Sequence, residues 1–530
     1  MFYKEVKITL KNIESYNKYK IRHYLSLFII FIFIVYFNSG LDFNISFYGD
    51  NSTKFFQAFS LIENHFKDDI IRCKWMSEFD YCKYFPKSNT MVYVDEYTLK
   101  GVFPIALSYL NALFIRWFNY NFFIILPQII FFLFLLIIKK YLNPFFILML
   151  FFSTQLFFTS FIYTDFALSL FFTSFFFVFF YNFKKSNLAI IFILGFITGL
   201  NVFYRYEGEI FLVILITILF LFDKENRKQY LIFGSGLSLS LLLFFITNYI
   251  FYNNFLGTRL IANKEGIFTT DLTIKMLSIW GNIWGNSLHP VGFFKYKFYL
   301  LIFYILFFYY RDKMSNQNKY IYYSILTSLI ILILLVPNDS GVDYGTRYLA
   351  ILLVPSFILL NNFFKLINNK FIKFILVFFM IFSIYYTYQY YKSIIKINIV
   401  TKKLYESIEQ EFRKNSLWIF HSNYLPFMFG SYLLENKILV IEHPKELEEF
   451  KNIFEQKKIK NLYKNVVVFN YNSYNLDMFL KSDLKEKDRS FYEDDKVREK
   501  LINYIKLYYA NHITKSISYN NYEIIIHQFN

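Results

Sequence analysis

The chain has 530 residues, 56% of them hydrophobic and 24% aromatic, with 73 Phe and 47 Tyr; its mean hydropathy of +0.34 excludes an ordinary soluble domain. A net charge of +17 is shared by many nucleic-acid-binding proteins. Here much of the basic excess lies in short loops between apolar runs, so it reads as a topology signal, and the bilayer rather than nucleic acid is the implied partner.

Residues 1–22 carry Lys4, Lys7, Lys11, Lys18, Lys20 and Arg22, which predicts a cytoplasmic N-terminus. Residues 23–39 follow as a first transmembrane helix. Its exit "YFNSGLDFN" lacks the small-residue pattern of a signal-peptide cleavage site, so the span is expected to be retained. Residues 40–120 form a long external loop. Within it "GVFPIALSYLNALFIRWF", from Gly101, could be read as a span, but that would move the basic connections beginning at Lys139, Phe183, Asp223, Arg311 and Phe363 outside. Lys100, Pro104, Ser108 and Asn111 instead fall on one helical face, which predicts an interfacial helix.

Residues 121–391 read as a multi-span membrane domain, bringing the total to about eleven crossings of roughly 20 apolar residues each. Residues 400–530 are polar and carry β-type runs "LWIFHSN" from Leu417, "KILVIE" from Lys437, "NVVVFNYN" from Asn465 and "YEIIIHQF" from Tyr522, with a helical run from Pro444. The expected fold is an all-α polytopic membrane domain with a small C-terminal external α/β domain. Cys73 and Cys82, the two cysteines of the chain, both fall in the first external loop; a disulfide and two free thiols stay open as alternatives.

The same parity gathers charges on the external face: Asp50, Glu96, Lys100, Asp165, Arg205, Glu207, Asp343 and Arg347. Ionisable groups near bilayer depth are costly and usually face a cavity or one another. Taken singly, Arg205 with Glu207, or Arg347 with Asp343, could be interfacial ion pairs, and Asp165 in "YTDFALSLFF" could simply start a helix. Their shared side points to a site. A carboxylate beside a set of cations suits sugar transfer from a phosphate leaving group: the carboxylate deprotonates an acceptor hydroxyl, and Lys and Arg take up charge accumulating on the phosphate.

The pieces "YGDNSTKFFQAF", "DEYTLKGVFP", "YTDFALSLFF", "RYEG" and "TRYLAILLVP", in this order on one side, resemble the GT-C superfamily of polytopic glycosyltransferases. The nearest branch is that of bacterial protein O-mannosyltransferases and the aminoarabinose transferase of lipid A. The resemblance implies an inverting transferase in the bacterial cytoplasmic (inner) membrane, with Asp50 as catalytic base and Asp165 as a second catalytic carboxylate. It also implies substrate binding by Glu96, Lys100, Arg205, Glu207, Arg347 and Tyr348. The donor would be a polyprenyl-phosphate-linked sugar and the acceptor a lipid, glycan or protein. No cofactor is certain from it, and a divalent metal held by Asp50 and Asp165 stays open. The sequence departs from the family in separating Glu96 from Lys100 and in keeping a single proline, Pro104, after them; His289 in a later external loop is read as structural. The rival functions are a transporter or flippase for a lipid-linked glycan and a surface-polysaccharide polymerase or ligase. A transporter would be expected to show inverted repeats, which the sequence lacks.

Overall fold

The computed structural model describes residues 2–45, 49–75, 82–86, 91–162, 164–183, 186–259, 267, 271–285, 292–336, 347–420, 425–441, 444–456, 459–472, 494–509, 511–519 and 522–530. The chain divides into two compact units. The first joins Met1–Gly40 to Ile125–Lys392, and the second joins Leu41–Ile124 to Ser393–Asn530.

Helices follow one another in chain order as α1 (Phe2–Ser39), α2 (Gly49–Glu63), α3 (Ile105–Phe118), α4 (Phe122–Ile138), α5 (Pro144–Phe152), α6 (Leu156–Ile162), α7 (Thr164–Asn182), α8 (Leu188–Gly199), α9 (Tyr206–Phe222) and α10 (Arg227–Tyr252). Later apolar helices cover Leu272–Ile283, Phe298–Tyr309, Asn316–Leu335, Leu353–Leu366 and Lys370–Ser407.

In the first unit, short polar residues start helices by accepting backbone N–H groups that have no partner within the helix. Asn143 accepts from Phe146 with Pro144 in the first turn, Asn187 accepts from Ala189, and Ser315 accepts from Asn318. Helices α8 and α10 approach closely because both contribute glycine. A Cβ on Gly195 would lie 2.0 Å from the Phe233 carbonyl oxygen, and one on Gly236 would lie 2.2 Å from that of Phe192. Small residues at such crossings let backbones pack directly, as in many membrane helix pairs.

Among the described residues five helical segments are long and apolar enough to cross a bilayer: Lys20–Ser39, Thr164–Asn182, Lys224–Tyr252, Asn316–Leu335 and Lys370–Ser407. The number reaches seven if each of two bent pairs counts as one span, against the eleven expected from hydropathy. The difference arises because apolar runs that look continuous in sequence are broken or short as helices, such as α5 and α6, or Phe298–Tyr309. Large apolar side chains lie exposed along α1 (Phe28, Ile32, Tyr36) and along Lys370–Ser407 (Phe371, Phe374, Phe378). Such continuous apolar exposure suits lipid and not water. Helix α7 is the inner one: 72% of its most apolar window is buried, against 17% for Lys370–Ser407.

In the second unit, residues 400–530 pack with the first long loop. Strands β1 (Ile71–Arg72), β2 (Met91–Tyr93) and β3 (Thr98–Gly101) form an antiparallel sheet in the order β1-β3-β2. A five-stranded sheet comprises β4 (Leu417–Phe420), β5 (Lys437–Val440), β6 (Val466–Asn472), β7 (His512–Tyr519) and β8 (Tyr522–Phe529), in the order β5-β4-β6-β8-β7. The pairs β4–β5 and β4–β6 are parallel; β6–β8 and β8–β7 are antiparallel.

One face of this sheet is covered by Leu447, Phe450 and Phe454 of the helix Pro444–Gln456 and by Leu501 and Ile505 of Asp494–Lys506. Tyr84 of the first loop is buried in the same core, and its hydroxyl donates to Glu449 at 3.1 Å. Further ties join the loop to the C-terminal segment. The Tyr432 hydroxyl donates to Asp42 at 2.9 Å, and the Asn398 side chain exchanges hydrogen bonds with the Asp42 backbone. Cys73 and Cys82 are disulfide-bonded, which resolves the alternative left open above.

Helix α3 is separate from α4, the chain turning at Asn119 in a positive-φ conformation. Its polar face is turned inward: Ser108 and Asn111 are buried while Trp117 and Phe118 are exposed. The expected amphipathicity is real, but the protein covers the polar side and the apolar side is open.

Candidate functional site

The densest buried charge cluster among the described residues of the first unit is built where α7 and α9 begin. Asp165 lies in the first turn of α7, the most enclosed span, and is itself 1% exposed. Arg205 precedes α9 in extended conformation, and Glu207 lies in that helix's first turn, where the macrodipole favours a negative charge. Asp165 meets two guanidinium groups, those of Arg205 and Arg259, each at 3.4 Å. Arg205 also reaches Glu207 at 3.0 Å, and Arg259 approaches Glu207 at 4.0 Å. The four groups therefore close a ring in which each charge touches both opposite charges.

Other contacts hold the ring. The Arg205 guanidinium lies 5.5 Å from the Phe166 ring centroid, and Arg259 donates to the Tyr204 carbonyl at 3.3 Å. Tyr204 stacks on Phe172 of α7 with planes 5° apart. Gly208 is required for the fit: a Cβ there would lie 2.2 Å from Asn201 Nδ2 and 2.9 Å from Ser169 Oγ. Arg347 is near enough to act electrostatically on Arg205, and its Nη2 lies 3.4 Å from the buried Tyr348 hydroxyl. Ion pairs this deeply buried offset their desolvation only when geometry and hydrogen bonding are good, and shared guanidinium forks supply both.

Thus the structure brings Asp165, Arg205 and Glu207 together, with Arg347 close by. Arg259 was missed, although a lone arginine in "LGTRL", in a loop assigned to the external side, is the signal that could have found it. Asp343 and His289 lie outside the described residues.

Asp50, Glu96 and Lys100 belong to the second unit. Asp50 lies half-buried in the first turn of α2, where the residues that follow, Asn51, Ser52, Thr53 and Lys54, are all buried. Lys54, one helical turn after Asp50, has its ammonium 4.6 Å from the Phe103 ring centroid. The i,i+4 spacing in "DNSTK" was the available signal for it. Glu96 is exposed in the turn between β2 and β3. The carboxylates of Asp69 and Asp68 act on Lys100.

Asp69 is buried and accepts a 2.6 Å hydrogen bond from Gln57, whose amide also donates to the Phe103 carbonyl. Burial pushes the Asp69 carboxyl up to about 6, against the pull of Gln57 and of the Lys100 ammonium. Burial in turn lowers Lys100, partly offset by Asp69. No sequence signal singled out Asp69, because it lies in an ordinary polar stretch, "HFKDDI".

Among the described residues no group of three or more His, Cys, Asp or Glu side chains gathers as a metal cluster would. Asp165 engages two arginines, a donor set that suits an anion and disfavours a cation. The residues therefore do not fit the divalent metal left open by the sequence, and no step is derived through one. No protein-family model matches the chain, and a comparison with curated proteins finds no match.

Proposed function

We propose that the chain is an integral-membrane, inverting glycosyltransferase that moves a sugar from a polyprenyl-phosphate donor to a lipid, glycan or protein acceptor on the external face of a bacterial cytoplasmic membrane. The observation that carries this reading is the buried ring of Arg205, Asp165, Arg259 and Glu207, with Arg347 beside it. Two carboxylates hold two arginines in fixed positions, and a third arginine lies near enough to act on Arg205 electrostatically. That is what a leaving phosphate requires. In this role Asp165 and Glu207 position cations and do not abstract protons. The base remains Asp50, which is only half-buried.

The reaction balances simply. The acceptor oxygen forms a bond to the anomeric carbon as its proton passes to the Asp50 carboxylate. The bond from that carbon to the phosphate oxygen breaks, and the charge released on the polyprenyl phosphate is met by arginine and lysine.

Two features of the second unit support an external face. The disulfide between Cys73 and Cys82 suits an oxidising compartment. That residues 41–124 and 393–530 form one unit supports the reading in which both are external, with an even number of crossings between them and a cytoplasmic N-terminus.

The test compares envelope glycolipids and glycoproteins by mass spectrometry in cells with wild-type protein, no protein, or Asp50→Asn at equal expression. One glycan should disappear in both altered strains, with turnover in Asp50→Asn reduced roughly 10²- to 10⁴-fold. Full retention of product by Asp50→Asn would remove Asp50 as base. Loss of externally exposed donor, with transfer intact, would favour a flippase.

A further inference from the structure

A second polar site lies within the first unit, where α5 gives way to α6. The break has a local cause: the Ser153 hydroxyl donates back to the Met149 carbonyl and the Thr154 hydroxyl to that of Leu150, which competes with continuation of the helix. The Ser153 carbonyl accepts from Ser383 Oγ at 2.7 Å. The backbone at this break is thus served without help from Gln155.

Around it lies a small, partly open cavity of about 20 Å³, lined among others by Ser153, Thr154, Gln155, Tyr296, Lys297 and Tyr386. Gln155 is 6% exposed, and among the described residues neither its Oε1 nor its Nε2 has a hydrogen-bond partner. Lys297 is 2% exposed and donates to the Gly292 carbonyl at 3.3 Å. Among the described residues no carboxylate lines the cavity. Tyr296 and Tyr386 stack with centroids 3.7 Å apart and form an aromatic wall.

A buried ammonium without a counter-anion, beside a buried amide without a partner, is costly unless something supplies oxygen acceptors. Water would satisfy the amide but leaves the charge uncompensated. An oxyanion satisfies both, and lysine is well suited to phosphate as a compact point charge. We propose that Lys297 and Gln155 form a phosphoryl-binding site at the α5–α6 break, filled by a phosphate that is either free or carried by a lipid among these apolar helices. The site is distinct in its residues from the arginine ring and does not depend on the transfer reaction.

The test measures equilibrium binding of labelled inorganic phosphate and of a labelled short-chain polyprenyl phosphate to the purified full chain in neutral detergent. Wild type should bind at least one of them saturably. Lys297→Met should weaken that binding roughly tenfold or more and Gln155→Leu several-fold. Without phosphate, Lys297→Met should melt no lower than wild type, since it removes an uncompensated charge. Saturation by the lipid alone assigns a lipid headgroup as the source; saturation by both assigns the phosphate itself. Failure of wild type to bind either probe, or an unchanged dissociation constant in folded Lys297→Met, would overturn the site. If Lys297→Met does not fold, Gln155→Leu decides the question by the same comparison. Binding retained in a protein that transfers no sugar would count against the transferase reading alone.

Discussion

The two units each bury an aspartate, and they compensate the charge in opposite ways. Asp165 is met by two guanidinium groups that are themselves shared with Glu207, so four charges neutralise one another. Asp69 has a neutral amide and a half-buried lysine for company, and burial wins, moving its carboxyl up to about 6. Full compensation fixes a charge in place; partial compensation leaves a group that titrates near neutral pH.

The comparison can be broken most forcefully at the ring. Arg205→Ala leaves Asp165 and Glu207 buried with Arg259 as the remaining guanidinium contact, and should destabilise the protein by about 3–5 kcal/mol; thermal unfolding in detergent measures it. Arg205→Lys restores charge but not the fork and should recover part of that loss.

At Asp69 the effect is set by pH. The folded state holds the proton more tightly than the unfolded chain, whose carboxyl titrates near 3.8. The associated stability is therefore complete below about pH 3.8 and is lost as pH rises through about 6, amounting to about 3 kcal/mol. Asp69→Asn should flatten this slope in denaturation curves taken between pH 4 and 7, while Asp165→Asn should leave it in place.

Opening the disulfide between Cys73 and Cys82, nine positions apart, frees a short loop and should cost about 2–3 kcal/mol, read as a lower melting temperature of Cys73→Ser with Cys82→Ser. The smallest expected effect is at Gly208, where alanine must displace Asn201 or Ser169. Overpacking there should cost about 1–3 kcal/mol and should weaken donor binding by shifting the start of α9, without changing the pH slope from Asp69.

Much of the helical architecture was legible because long apolar runs report helices suited to lipid directly. The span count was not, since hydropathy is blind to a backbone break such as the one at Ser153 and Thr154, which depends on hydroxyls folding back onto carbonyls. Strands β4, β5, β6 and β8 were legible from their apolar β-branched runs; β7, "HITKSISY", was not, because it is a polar edge strand. The association of the first loop with the C-terminal sheet rests on Tyr84, Asp42 and Asn398, single residues separated from their partners by hundreds of positions. At the site, charge parity found Asp165, Arg205 and Glu207 together, whereas the pairing of Lys100 with Asp69 and Asp68 comes from strand β3 returning beside β1.

The central claim is tested most directly with purified protein, a radiolabelled polyprenyl-phosphate sugar and an envelope acceptor fraction. The account predicts that free polyprenyl phosphate and glycosylated acceptor appear in equal amounts, with inverted anomeric configuration, and that Arg259→Met slows both together by roughly 10²-fold. Donor that stays intact with every acceptor fraction, or product of retained configuration, would contradict it.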